Sequence, residues 1–258
     1  MRLKILIPLI GLLLFFSSCS TMHKGFPSQS GSNISANRFI ENISKINNNL
    51  LTFQGIGKFR LRNKQGVLTS RAVWIGDNTG KLRIEVLGPA GRSQVSCASD
   101  GNWFYALTRN PLRFHKIHSN NAGLNRLISI PIKIDDLHRL LAGKIPVYPH
   151  HSVFVQPDRA DNGYVLVLKK RWMGVVEKIF LNNTRAEVRK LEVFGTGGSL
   201  AYAAVFQGYR TVQGYRIPSR LLISDAADVT FDLEIHKFIP DIKLADSAFI
   251  LEPPKSRE

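Results

Sequence analysis

The sequence predicts a mainly β protein with short helices (α+β), in which a curled antiparallel sheet forms an open β-barrel with a helical lid. Three observations predict it. About a dozen short segments alternate apolar and polar residues, the period of a half-buried strand. Turn residues such as Asp161-Asn162-Gly163 and Gly195-Thr196-Gly197-Gly198 separate them. Helical periodicity is confined to the front and the middle of the chain. A sheet of that size needs its concave face covered, and three short helices supply the cover.

The first helix is predicted over Ser35 to Leu50. Phe39, Ile43, Ile46 and Leu50 are spaced four, three and four apart, on one helical face. Asn47, Asn48 and Asn49 are weak helix formers and mark its fraying end. Strands begin at Thr52. Phe53, Gly55, Gly57, Phe59 and Leu61 alternate with Gln54, Lys58, Arg60 and Arg62, and the glycines mark a curve or a close approach. Further strands are expected at Arg71 to Ile75, Lys81 to Leu87, Arg92 to Ala98, Trp103 to Leu107 and Leu112 to His118. In the second of these, Leu82, Ile84 and Val86 share a face.

The period then changes. Leu124, Leu127 and Ile128 suit a short helix that Pro131 ends. Asp135 is placed to cap another, with Leu137, Leu140 and Leu141 on its apolar face and Gly143 as its stop. Strands resume at Ser152 to Gln156, Tyr164 to Lys169, Val175 to Leu181, Val188 to Phe194, Ala201 to Gln207, Arg216 to Ile223 and Val229 to Phe238. No internal repeat interrupts this order.

The N-terminus fixes compartment. Arg2 and Lys4 precede an apolar run from Ile5 to Phe16, then Ser17-Ser18-Cys19. A basic start, an apolar stretch and a small-residue site read as a secretory signal. The run is shorter than the about 20 residues a spanning helix needs. The cysteine at the cleavage point makes the segment resemble a bacterial lipoprotein signal. The resemblance implies removal of 1–18, a lipidated Cys19 and, because Ser20 follows, the outer membrane. Residues 19–34 are rich in Ser, Gly and Asn and read as a flexible tether. Residues 35–252 form one domain, and 253–258 a tail.

The formal charge is +16, of which Arg2 and Lys4 account for two. In a secreted chain such a balance suits anionic lipid headgroups better than nucleic acid, the bland alternative being a solvated basic exterior. With Cys19 lipidated, Cys97 has no partner for an intrachain disulfide and packs as a small apolar residue.

Motifs of catalysis are not found. His115 and His118 lie three apart in a strand, on opposite faces, and His150 and His151 are adjacent and diverge, so no metal site is expected. No Gly-x-Ser-x-Gly elbow or phosphate-cradling loop occurs. No cofactor and no enzymatic activity are expected. The aromatics of the strands fit core packing, but in a single curled sheet the core face and a cavity lining are the same face. Trp74, Ile84, Phe104 and Leu127 are expected near that interior.

Two blocks carry a resemblance over about Leu51 to Phe238. Residues 81–96 (KLRIEVLGPAGRSQVS) and 124–143 (LNRLISIPIKIDDLHRLLAG), with a weaker third block at 205–209 and 217–221 (VFQGY and IPSRL), resemble the outer-membrane lipoprotein receptor (LolB-like) family. The resemblance implies an open barrel whose lid covers an acyl-binding interior. It implies a monomer that receives lipoproteins from a periplasmic carrier and inserts them into the outer membrane from its periplasmic face. It also implies a loop that touches membrane or cargo, here Gly88, Pro89, Ala90 and Gly91. The family carries a large apolar residue where this chain has Ala90. The alternative is a structural or assembly lipoprotein of the envelope with no ligand.

Overall fold

The computed structural model describes residues 30–119, 130–184 and 187–254. The signal 1–18, Cys19, residues Leu124, Leu127 and Ile128, and tail residues 255–258 lie outside them.

Helix α1 (Ser30–Ser44) opens the described chain. It is followed by β1 (Thr52–Asn63), β2 (Gly66–Asp77), β3 (Leu82–Leu87), β4 (Ser93–Ser99), β5 (Trp103–Arg109) and β6 (Leu112–His118). Helix α2 (Ile134–Leu141) precedes β7 (Ser152–Asp158), β8 (Gly163–Lys170), β9 (Gly174–Leu181), β10 (Val188–Phe194) and β11 (Leu200–Gln207). The last strands are β12 (Arg210–Val212), β13 (Tyr215–Ile217), β14 (Arg220–Ser224) and β15 (Thr230–Pro240).

Thirteen strands form one antiparallel sheet in the order β6-β5-β4-β3-β2-β1-β15-β14-β11-β10-β9-β8-β7, and β12 and β13 pair separately. The sheet curls without closing: β6 and β7 are its two edges. Pairing of β1 with β15 joins the two halves of the chain at the middle of the sheet.

Alternation decides which face is concave. Phe53, Phe59 and Leu61 of β1 are buried while Lys58, Arg60 and Arg62 are exposed. The partners Trp74 and Ala72 of β2 and Leu233 and Ile235 of β15 continue the same apolar face. Burying such side chains supplies about 1.5–3 kcal/mol each, which is what drives the sheet to curl over its own apolar surface. Among the described residues the convex face carries an apolar patch of its own. Ala98, Tyr105 and Leu107 there are covered by Leu251 of the C-terminal segment. Arg83 fixes that segment by donating to the Ala248 carbonyl at 3.1 Å.

Three expectations are corrected. Helix α1 begins at Ser30, not Ser35, and ends at Ser44, short of Leu50. The asparagine run leaves the helix because Asn47 takes a left-handed φ of 54°, where Asn is tolerated. Its side-chain amide is also engaged elsewhere. It donates to the carbonyls of Ala142 (3.0 Å) and Arg216 (2.9 Å), and its oxygen accepts from the Arg216 N–H (2.9 Å). The cap of α2 is Lys133, in extended backbone, so Asp135 sits inside the first turn, where a carboxylate suits the helix dipole. The expected strand Arg216 to Ile223 is two strands, because Pro218 has no N–H to give to a ladder. Two of the three expected helices, α1 and α2, occur among the described residues, and the one expected at Leu124, Leu127 and Ile128 lies outside them.

Candidate functional site

An apolar cavity of about 100 Å³ lies between the concave face of the β1–β4 and β15 region and helix α2. Phe59, Phe231, Ile84, Val86, Val95 and Cys97 project into it from the sheet. Ile134 and Leu137 close it from the helix. Ile84, Val86, Val95, Cys97 and Phe231 are only half-buried, so this part of the concave face is not sealed by its own packing. An apolar cavity of about 150 Å³ stays dry and takes up a benzene-sized guest. The present space therefore admits a short apolar segment, and a longer chain requires α2 to move outward.

Of the expected interior residues, Ile84 is on the cavity wall. Trp74 and Phe104 belong to the buried core and are not on that wall. Leu127 lies outside the described residues. Trp74 packs across the bare backbone of Gly55 and so fills space beside the cavity. The Cys97 thiol, held in this apolar wall, is pushed up to about 12 by burial and by the nearby Glu85 carboxylate. It is a protonated apolar group at neutral pH.

Helix α2 is attached by polar contacts on its far side. The His138 ring Nε2 lies 2.7 Å from the Asp77 carbonyl at the end of β2, and the ring packs against Phe53 at 5.5 Å. Burial holds this imidazole below its usual pKa. The Tyr148 hydroxyl donates to Asp136 Oδ2 at 2.5 Å, and the Tyr148 N–H donates to Glu177 Oε2 at 2.8 Å. Tyr202 of β11 is buried beside the same carboxylates. Glu177 is fully buried, and desolvation raises its pKa to about 8, with its Tyr148 hydrogen bond opposing the rise. Asp136 is raised for the same principal reason. This cluster ties the lid to β9 and β11. Its members are 12 to 29 residues or more apart in the chain and lie in no motif, so only the β9 pattern, with Glu177 at an inward position, signals it.

The loop Gly88 to Arg92 joins β3 and β4, with Pro89, Ala90 and Gly91 exposed. The Gly91 N–H donates to the Gly88 carbonyl at 2.9 Å, and Gly91 takes φ +74°, which fits a tight turn at a strand end. Among the described residues no group of three His, Cys, Asp or Glu side chains is arranged to hold a metal ion.

No protein-family model matches the sequence, and no curated protein matches it. Solved structures do. A domain described as an outer membrane lipoprotein-sorting protein, from Vibrio parahaemolyticus, superposes with a TM-score of 0.59 at 11% identity, covering 85% of this chain and 96% of that one. A LolA superfamily protein from Nitrosomonas europaea gives 0.58 at 13% identity, over 84% and 97%. A DUF1329 family protein from Desulfovibrio piger gives 0.59 at 9% identity, over 85% and 96%. At these identities the likeness is one of fold: the chain has the curled, lidded sheet of LolA-like proteins, and nothing in the comparison singles out the LolB-like branch.

Proposed function

We propose that the protein binds acyl chains in the apolar space under α2 and handles lipidated proteins at the bacterial outer membrane, as a non-enzymatic receptor or carrier. The observation that carries this reading is the cavity itself, which is walled by apolar side chains on both sheet and lid. Burial of an acyl chain is worth about 0.8 kcal/mol per methylene. A protein that moves such a chain without nucleotide needs an interior of similar apolarity, so that small affinity differences set the direction.

The lipoprotein-like signal supports anchoring through a lipidated Cys19, on the periplasmic face. The fold neighbour described as an outer membrane lipoprotein-sorting protein supports the same process. In this reading a periplasmic carrier delivers the cargo, the chain works as a monomer, and the Gly88–Gly91 loop touches membrane or cargo. The small Ala90 side chain gives that loop little apolar surface of its own.

A second reading, an assembly lipoprotein without ligand, rests on the tight packing of the β8–β11 half, where Leu166, Leu168, Ile179, Leu191 and Ala204 are fully buried. Native mass spectrometry of the purified protein separates the two. Lipid of acyl-chain mass released with the chain supports the first. A ligand-free chain under conditions that retain lipid on a known carrier supports the second.

A further inference from the structure

The antiparallel register gathers six turns at one end of the sheet. They are 63–66, 88–92, 109–112, 171–173, 195–199 and 225–229. The rim they form is unlike the other end. Eight large apolar side chains are exposed among the described residues, and five belong to this rim: Val67, Leu68, Leu112, Trp172 and Met173. Trp172 stands out, being 96% exposed at the tip of the β8–β9 hairpin. It also holds a left-handed φ of 67°, a conformation disfavoured for a bulky residue. Neither packing nor turn preference accounts for an indole there.

Charge follows the same axis. Arg62, Lys64, Arg92, Arg109, Lys170 and Arg171 lie on or beside the rim, and none of them makes an ion pair among the described residues. Its two acids are Asp225 and Asp228, and Asp225 is occupied by the N–H groups of Ala227 and Val229. At the opposite end acids and cations occur together and pair, Asp77 with Lys81 and Asp158 and Asp161 with Arg189.

We infer that this rim docks on an anionic lipid bilayer, with Trp172 and Met173 entering the interface and Lys170 and Arg171 meeting the headgroups. Trp favours the membrane–water interface because its ring is apolar and its N–H polar. The flanking cations add attraction to anionic lipid. The cavity walls Val86, Val95 and Phe231 lie toward this same end, so docking would bring the mouth of the cavity to the bilayer. The docking surface stands on these observations whether or not the cavity takes up acyl chains.

The test uses the full-length chain reconstituted into vesicles, with brominated phosphatidylglycerol in phosphatidylcholine as quencher. Trp74 is buried and Trp103 is at the opposite end, so quenching reports Trp172 however the N-terminus is held. The expected result is quenching in anionic vesicles that is lost in Trp172→Phe and lost in 1 M salt. Lys170→Gln with Arg171→Gln should lower the ratio of docked to undocked chain roughly 25-fold, at roughly fivefold per cation. Equal quenching in wild type and Trp172→Phe, or no quenching in either, overturns the inference. Fluorescent fatty acid binding is read in the same preparation and should be unchanged in Trp172→Phe. A chain that takes up fatty acid but is not quenched therefore refutes the docking surface alone. A chain that is quenched but takes up no fatty acid refutes the cavity alone.

Discussion

The indole of Trp74 lies directly over Gly55, its register partner on β1, so closely that a Cβ added at Gly55 would stand 2.0 Å from the indole Cε2. The glycine is thus the seat of the largest fully buried side chain of the core. That seating fills the middle of the sheet and leaves the open space to one side, between Ile84 and α2.

Gly55→Ala should therefore destabilise the fold by about 1–3 kcal/mol, the cost of overpacking a filled core. Urea unfolding measures it. Adding Trp74→Phe should relieve part of the clash, so that the double variant is less destabilised than the sum of the two single changes. Additive effects would mean that the indole does not depend on the bare backbone.

Glu177 makes stability depend on pH. Its folded pKa, about 8, stands above the ordinary value of 4.5. The folded chain therefore keeps a proton that the unfolded chain releases. Stability is fully present below pH 4.5, falls as pH rises towards 8, and is level above that. The size is a few kcal/mol at most, at about 1.4 kcal/mol per pH unit. Asp136 adds in the same direction, whereas the lowered pKa of His138 acts oppositely and costs stability as pH falls below 6.5. The difference between wild type and Glu177→Gln cancels the His138 contribution. Wild type should lose more stability than the Gln variant between pH 5 and pH 8 in parallel melts. Identical slopes would refute a buried, protonated Glu177.

Thiol titration reads the two cysteines separately. Burial lifts the Cys97 pKa from 9.0 to about 12, which cuts its thiolate fraction at pH 8 roughly 1000-fold. The native chain should react slowly with a disulfide reagent, and the denatured mature chain should yield one thiol. Two thiols would mean that Cys19 carries no lipid. Cys19→Ala should then also show no change in processing or membrane association, instead of the failure of both that lipidation requires.

The strands were legible because each carries its own evidence. Alternation around Phe53, Phe59 and Leu61 assigns an inner and an outer face without knowledge of any neighbour. The same reading fails where a residue serves a distant part of the chain. Asn47 looks like a fraying helix end, yet its amide is bonded to Ala142 and Arg216. Tyr148, Glu177 and Asp136 meet only because α2 crosses the sheet. Ile84 is legible as inward-facing, but whether it meets a void or a neighbour depends on where Trp74 and α2 settle. The basic run Lys169-Lys170-Arg171 is plain in the sequence, while the outward stance of Trp172 follows from the hairpin turn that succeeds it.

The central claim is that the space beside Ile84 binds an acyl chain, and a paired titration tests it most directly. Wild type and Ile84→Trp are titrated with a fluorescent fatty acid, and each is melted alone. The account expects saturable binding by the wild type and much weaker binding by Ile84→Trp, with a melting temperature close to that of the wild type because the indole enters existing space. No binding by the wild type, where a known lipid carrier binds, would contradict it. So would an Ile84→Trp chain destabilised by the about 1–3 kcal/mol of an overpacked core with its fatty acid binding unchanged.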